Sequence, residues 1–141
     1  MTPAEPSEPS EPGRPIIYAV RFTPEAENEA LEAAARYAVL VSDRERGREW
    51  YASLKDAVGT LATNPTRLAV RERESRLLGR TVRALLHRHT PGSRTAAAAC
   101  HAFYTVRDDS PDGPRVSVIH VRHAARRPLT RGEARSIENK G

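Results

Sequence analysis

The hydrophobic period of this chain changes twice, and that restricts what it can fold into. Ile16, Tyr18, Val20 and Phe22 alternate along one side, the pattern of a strand with one covered face. Thr23-Pro24-Glu25 comes at once: a helix-capping residue, proline at the first helical position and an acid in the first turn. Behind it Ala30, Ala33, Tyr37 and Leu40 recur at helical spacing, which predicts a helix to about Val41. Ser42 to Gly47 reads as a charged joint. Trp50, Leu54, Ala57, Val58 and Leu61 then form the stripe of a second helix that Asn64-Pro65 ends. A short joint between two amphipathic helices predicts an antiparallel pair.

The charge-dense residues 66–79 leave room for a further short helix before Gly79. Period two then returns. Arg80 to His87 places Val82, Ala84 and Leu86 on one face and Arg83, Leu85 and His87 on the other. Pro91-Gly92-Ser93 turns the chain. Ala98 to Arg107 is the next strand, with Ala102, Tyr104 and Val106 on one face, although Ala96–Ala99 favours helix by propensity. Asp108 to Pro114 is a loop. Val116 to Val121, apolar at most positions, suits a central strand, and Pro128, just after Arg127, stops it. The predicted fold class is α+β: a two-helix antiparallel pair, in a single layer, on a small, mostly antiparallel curved sheet, in the order strand-helix-helix-strand-strand-strand. Trp50 and Leu54 should pack on the face that holds Val20, Val82 and Tyr104. The domain is expected over residues 16–128. Residues 1–15 hold five of the eleven prolines and are expected to be a disordered Pro/Glu-rich tail. Residues 129–141 are expected to be a polar tail, either loose or a short helix.

A chain of 141 residues suits one domain plus tails. Its longest apolar run is a handful of residues, so no membrane span is expected, and the start does not read as a signal peptide. One Cys makes neither an intrachain disulfide nor a Cys-type zinc site, which predicts a reducing, cytoplasmic setting. The charge is divided unevenly. Residues 1–15 and 16–63 each carry net −2, whereas residues 64–141 carry net +9. Such a half-chain predicts a polyanionic or acidic protein partner, with a plain solvated face as the alternative. Of the 23 basic residues 21 are Arg, whose planar fork suits phosphate and carboxylate.

No Gly-rich phosphate loop, His-Glu-x-x-His or Gly-x-Ser-x-Gly motif occurs, which removes common nucleotide, zinc-protease and hydrolase readings. His87 and His89 would face one way on a strand, and His120 and His123 opposite ways. Three or four convergent ligands are needed for a metal, so none is expected, nor any cofactor. Glu72 and Glu74 alternate with Arg71, Arg73 and Arg76 and read as a solvated, self-neutralised loop. The pointed feature is the run from Val116 to Arg127, a buried strand that ends in His120, Arg122, His123, Arg126 and Arg127. With Arg80, Arg83, Arg88 and Arg107 on neighbouring strands, such an edge suits a phosphodiester or an acidic peptide.

In order and spacing these pieces resemble the RelE/ParE family of toxins from type II toxin–antitoxin systems. The matching pieces are Tyr18 to Pro24 with Ala26; Trp50, Leu54, Ala57, Leu61 and Asn64-Pro65; Arg80-Thr81-Val82-Arg83; Phe103 to Val106; and Val118 to Arg127, within residues 16–128. The resemblance implies a growth-inhibiting, plasmid-stabilising toxin neutralised by a cognate antitoxin, either as a hetero-oligomer with it or as a homodimer. It offers two activities. ParE-like members poison DNA gyrase and catalyse nothing; RelE-like members bind the ribosome and cut mRNA without metal. Two departures weigh against the second: Cys100-His101 stands where a Tyr-Arg pair is usual, and Pro128-Leu129-Thr130 where a Tyr is expected. The His-Ala-Ala-Arg-Arg ending favours ParE. For the RelE-like alternative His123 is the candidate catalytic proton carrier. Arg80, Arg83, His101, Arg122, Arg126 and Arg127 are the candidate phosphate- or partner-binding residues. A third reading is an inactive member that only binds antitoxin.

Overall fold

Thr23 ends one element and starts the next. In the computed structural model, which describes residues 16–88, 99–124 and 129–140, strand β1 runs over Ala19–Phe22 and helix α1 over Pro24–Leu40. The Thr23 hydroxyl accepts the Ala26 backbone N–H at 3.1 Å, while its own N–H donates to the Val118 carbonyl at 2.9 Å. Helix start and sheet edge are thereby locked by one residue. The strand is shorter than the alternation suggested. Tyr18 N–H bonds the Ala62 carbonyl instead of a strand, and Ile16 lies exposed. The tail 1–15, the Pro91 turn, Ala96–Ala98, Arg126, Arg127 and Pro128 lie outside the described residues.

Helix α2 spans Arg44–Gly59, so the joint is only Val41–Asp43. Ser42 turns it in the left-handed region (φ 54°), and the Asp43 carboxylate caps α2 by accepting Glu45 N–H at 3.0 Å and Arg46 N–H at 3.3 Å. Gly47, expected in the joint, is inside the helix and faces α1. A Cβ there would stand 2.7 Å from Ala38 Cβ and 3.0 Å from the Ala34 carbonyl, so the pair crosses where both surfaces are minimal. Gly47, Trp50, Leu54 and Val58 are buried, and the chain leaves α2 through 3₁₀ turns at Thr60–Ala62 and Pro65–Arg67. Helix α3, Glu72–Leu78, ends on Gly79 at φ 69°.

Strands β2 (Arg83–Arg88), β3 (Ala99–Arg107) and β4 (Arg115–His123) complete a sheet of order β1-β4-β3-β2. Of its three pairings only β1–β4 is parallel. The sheet is covered on both faces, which corrects the single helix layer predicted. Ala102, Tyr104, Val116, Val118 and Val121 pack with the α1–α2 stripe. Phe103, Ile119, Leu78 and Val82 pack on the other face with Leu129, Ala134 and Ile137. Val82 is thus on the opposite face from Trp50, contrary to expectation, while Tyr104 and Val20 do join Trp50.

The cover of the second face comes from helix α4, Arg131–Lys140, in the segment expected as a polar tail. Thr130 and Glu133 start it reciprocally. Glu133 Oε1 accepts Thr130 N–H at 2.9 Å, and Thr130 Oγ1 accepts Glu133 N–H at 3.2 Å, a capping box. Leu129, Ala134 and Ile137 thus pack on the sheet beyond residue 128, and the element order adds to the six main elements the short helices α3 and α4, for which the sequence left room. No described helix is long and apolar enough to cross a membrane.

Candidate functional site

A bulge decides which way the end of β4 points. Phe103 faces His120 while Tyr104 faces Val118, so Ile119 is an extra residue in β4. Beyond it Val121 and His123 face α1, and Arg122 faces α4, as the core partners of each require.

On the α4 side a polar chain crosses the molecule. β1 stops at Phe22, opposite Val118, and leaves the next stretch of β4 edge without a strand. Glu29 of α1 fills that gap. Its carboxylate accepts Val121 N–H at 2.9 Å and bonds His120 Nδ1 at 2.9–3.0 Å. The Arg122 guanidinium lies 3.3 Å from His120 Nε2 and 3.2 Å from Glu133 Oε1. A guanidinium only donates, so Nε2 is the acceptor and the imidazole proton sits on Nδ1, toward Glu29. The Thr130 backbone N–H, and after it Arg122, holds the Glu133 carboxyl down at about 2 against partial burial, which acts the other way. His120 also stacks on Phe103 at 5.9 Å. The result is a Glu29–His120–Arg122–Glu133 chain that ties α1 to α4 through the sheet.

His101 lies opposite Arg122 on the same face, partly exposed. Burial pushes its imidazole below the ordinary value; Arg71 acts the same way and Glu74 opposes. Its neighbours are not the solvated loop expected. Glu74 is buried, 5% exposed, with Arg71 Nε 3.6 Å from its carboxylate, because the short helix α3 turns it toward the sheet. The Arg71 guanidinium covers the Phe103 ring at 5.5 Å.

His123 stands on the other face, opposite Cys100, in a cleft of about 360 Å³ that also holds Glu29, Glu32, Arg36, Tyr37 and the exposed Val39 and Leu40. The Cys100 thiol is pushed up to about 11 by burial, so it is protonated and inert at neutral pH. Arg83 is elsewhere. Its guanidinium donates to the Thr66 carbonyl at 3.2 Å and to the Leu68 carbonyl, clamping the chain between α2 and α3. Arg80 is exposed beside the start of β4, away from His123. Of the candidates, the structure brings His101 and Arg122 together and separates His123, Arg83 and Arg80 from them; Arg126 and Arg127 lie outside the described residues. Sequence reasoning missed Glu29, His120 and Glu133 as a unit. The Thr130-x-x-Glu133 spacing was a usable signal for the last; the bulge that aligns His120 with Glu29 carries none.

Among the described residues no group of three or more His, Cys, Asp or Glu is arranged to hold a metal. Comparison with known proteins adds no relative: no family model, no curated protein and no solved structure matches the chain.

Proposed function

We propose that this protein is a ParE-like toxin of a type II toxin–antitoxin pair. It would inhibit bacterial growth in the cytoplasm by holding DNA gyrase, and be neutralised by a cognate antitoxin. The observation that carries the choice between the family's two activities is how the cations are engaged. A nuclease needs free cations converging on a phosphate beside a proton carrier. Here Arg83 is spent on carbonyls, Arg122 on Glu133 and His120, and His123 shares its cleft with Glu29 and Glu32. Those two carboxylates offset Arg36 and Arg122, which line the same cleft, so it offers a phosphodiester no excess of arginine over carboxylate. The same cleft, with its exposed Val39 and Leu40, suits a protein segment, which is what both a gyrase contact and an amphipathic antitoxin supply. The helix pair on a four-stranded sheet supports the family reading at the level of architecture.

One observation favours the RelE-like alternative. His101 is partly exposed, has its pKa lowered, and sits beside Arg71, Glu74 and Arg122, so an uncharged imidazole is available next to cations. The two readings separate in one experiment: purified protein with gyrase and supercoiled DNA, and separately with translating ribosomes. The expected result is trapped, cleaved DNA with intact mRNA, and only a partial loss with His123→Ala. Cut mRNA, with gyrase unaffected, would replace this reading by the nuclease one, and loss of cutting in His123→Ala or His101→Ala would name the proton carrier. Inertness in both assays, with an antitoxin still bound, points to an inactive antitoxin-binding member.

A further inference from the structure

At the opposite end of the sheet four arginines from four segments meet over one small cavity. Register puts Arg21 of β1, Ser117 of β4 and Thr105 of β3 side by side, with Arg115 and Arg107 side by side in the next row of the same face. Arg80, from the turn before β2, joins them, and together they line about 270 Å³ with Thr23 and Ile119. Among the described residues no carboxylate lines this space. Among the same residues, the one ion pair that reaches any of the four is Arg107 to Asp109 at 4.0 Å, and Asp109 is 91% exposed, so it neutralises little.

Two features go against stability. Arg107 and Arg115 are directly opposite each other on neighbouring strands, an arrangement of like charges that repels. Among the described residues Arg115 is held by a long 3.4 Å side-chain bond from Nη2 to Ser110 Oγ, and its buried Nε has no hydrogen-bond partner. A buried guanidinium donor without an acceptor is costly. The like-charge repulsion is relieved by one thing: an oxyanion in the cavity. Guanidinium forks with Ser and Thr hydroxyls around them are the donors that phosphate oxygens take.

We propose that this cavity is a phosphate-binding site, which seats either a free phosphate compound or one phosphate of a nucleic-acid strand. The site does not rest on the toxin reading: it lies at the other end of β4 from His123, shares no residue with that cleft, and of the residues put forward for that reading contains only Arg80. The test uses the intact 141-residue protein with two probes, inorganic pyrophosphate and a fluorescein-labelled single-stranded RNA 12-mer, at low salt. Arg21→Gln with Arg107→Gln should weaken binding at least tenfold without lowering the melting temperature; Arg115→Gln should do the same singly. For the strand, losing the one seated phosphate should flatten the log–log salt dependence by about 0.7. Arg76→Gln with Arg135→Gln, which removes the same charge from a second arginine cluster between α3 and α4, should have little effect. Arginine-dependent binding of pyrophosphate supports a free phosphate ligand; binding of the strand alone supports a nucleic acid. If neither probe binds, or if both double variants lose affinity equally, the site is refuted and only diffuse charge remains.

Discussion

At the scale of single residues, the outcome turns on pairs the sequence keeps far apart. Glu133 is one. Unfolded, its carboxyl takes up a proton near the usual 4.5; folded, only near 2. Between those values the unfolded chain binds more protons, so the stability Glu133 contributes is complete above pH 4.5 and falls as the pH drops toward 2. Urea titrations at pH 5, 4 and 3 should therefore show the gap between the native protein and Glu133→Gln shrinking with each step. A constant gap would mean that Thr130 and Arg122 do not hold the charge. Gly47 is the second case. Alanine gains nearly 1 kcal/mol of helix propensity over glycine, yet its methyl would meet Ala38 Cβ at 2.7 Å. Overpacking costs about 1–3 kcal/mol, so the clash wins and Gly47→Ala should lower stability. A higher melting temperature would show that the two helices separate freely.

At the scale of elements, α4 matters most. Its composition is polar, and its buried apolar residues are Ala134 and Ile137, yet with Leu129 just before it these close the second face of the sheet over Phe103, Ile119 and Val82. What starts it is Thr130, whose hydroxyl and backbone N–H exchange bonds with Glu133. Thr130→Ala should cost about 1 kcal/mol, the usual loss for a helix cap, read as a shift in the urea midpoint. Loss of protection in hydrogen exchange should be concentrated in α4 and α3, because those two pack on each other while α1 and α2 sit on the other face. Uniform loss would mean that the two faces unfold as one. The capping box and the Leu129–Ala134–Ile137 spacing were readable in the sequence. Arg, Gly and Glu between them masked the helix, since three apolar positions in a polar run give a weak period.

At the scale of the whole molecule, the proposed toxin contact and the proposed phosphate site use opposite ends of β4. A domain with net +9 after residue 63 attracts acidic partners faster than neutral diffusion allows, and salt screens that attraction. Under the proposed function, the product of a neighbouring antitoxin gene should therefore co-purify with it, and its association rate should fall steeply between 50 mM and 500 mM salt, with dissociation changing less. A rate independent of salt would move the contact to the apolar rim of the His123 cleft alone. The sequence by itself determined the α+β class, the capped start of α1, the α1–α2 pair and the central place of β4, and left room for α3. All of these are written in local period and capping chemistry, which neighbours along the chain enforce. It did not determine the second covered face, the side taken by Val82, the burial of Glu74, or which cations meet. Those depend on a one-residue bulge at Ile119, on the parallel placement of β1 beside β4, and on a short polar helix finding the one apolar surface left open. Each is a contact between residues distant in sequence, and only packing in three dimensions decides it.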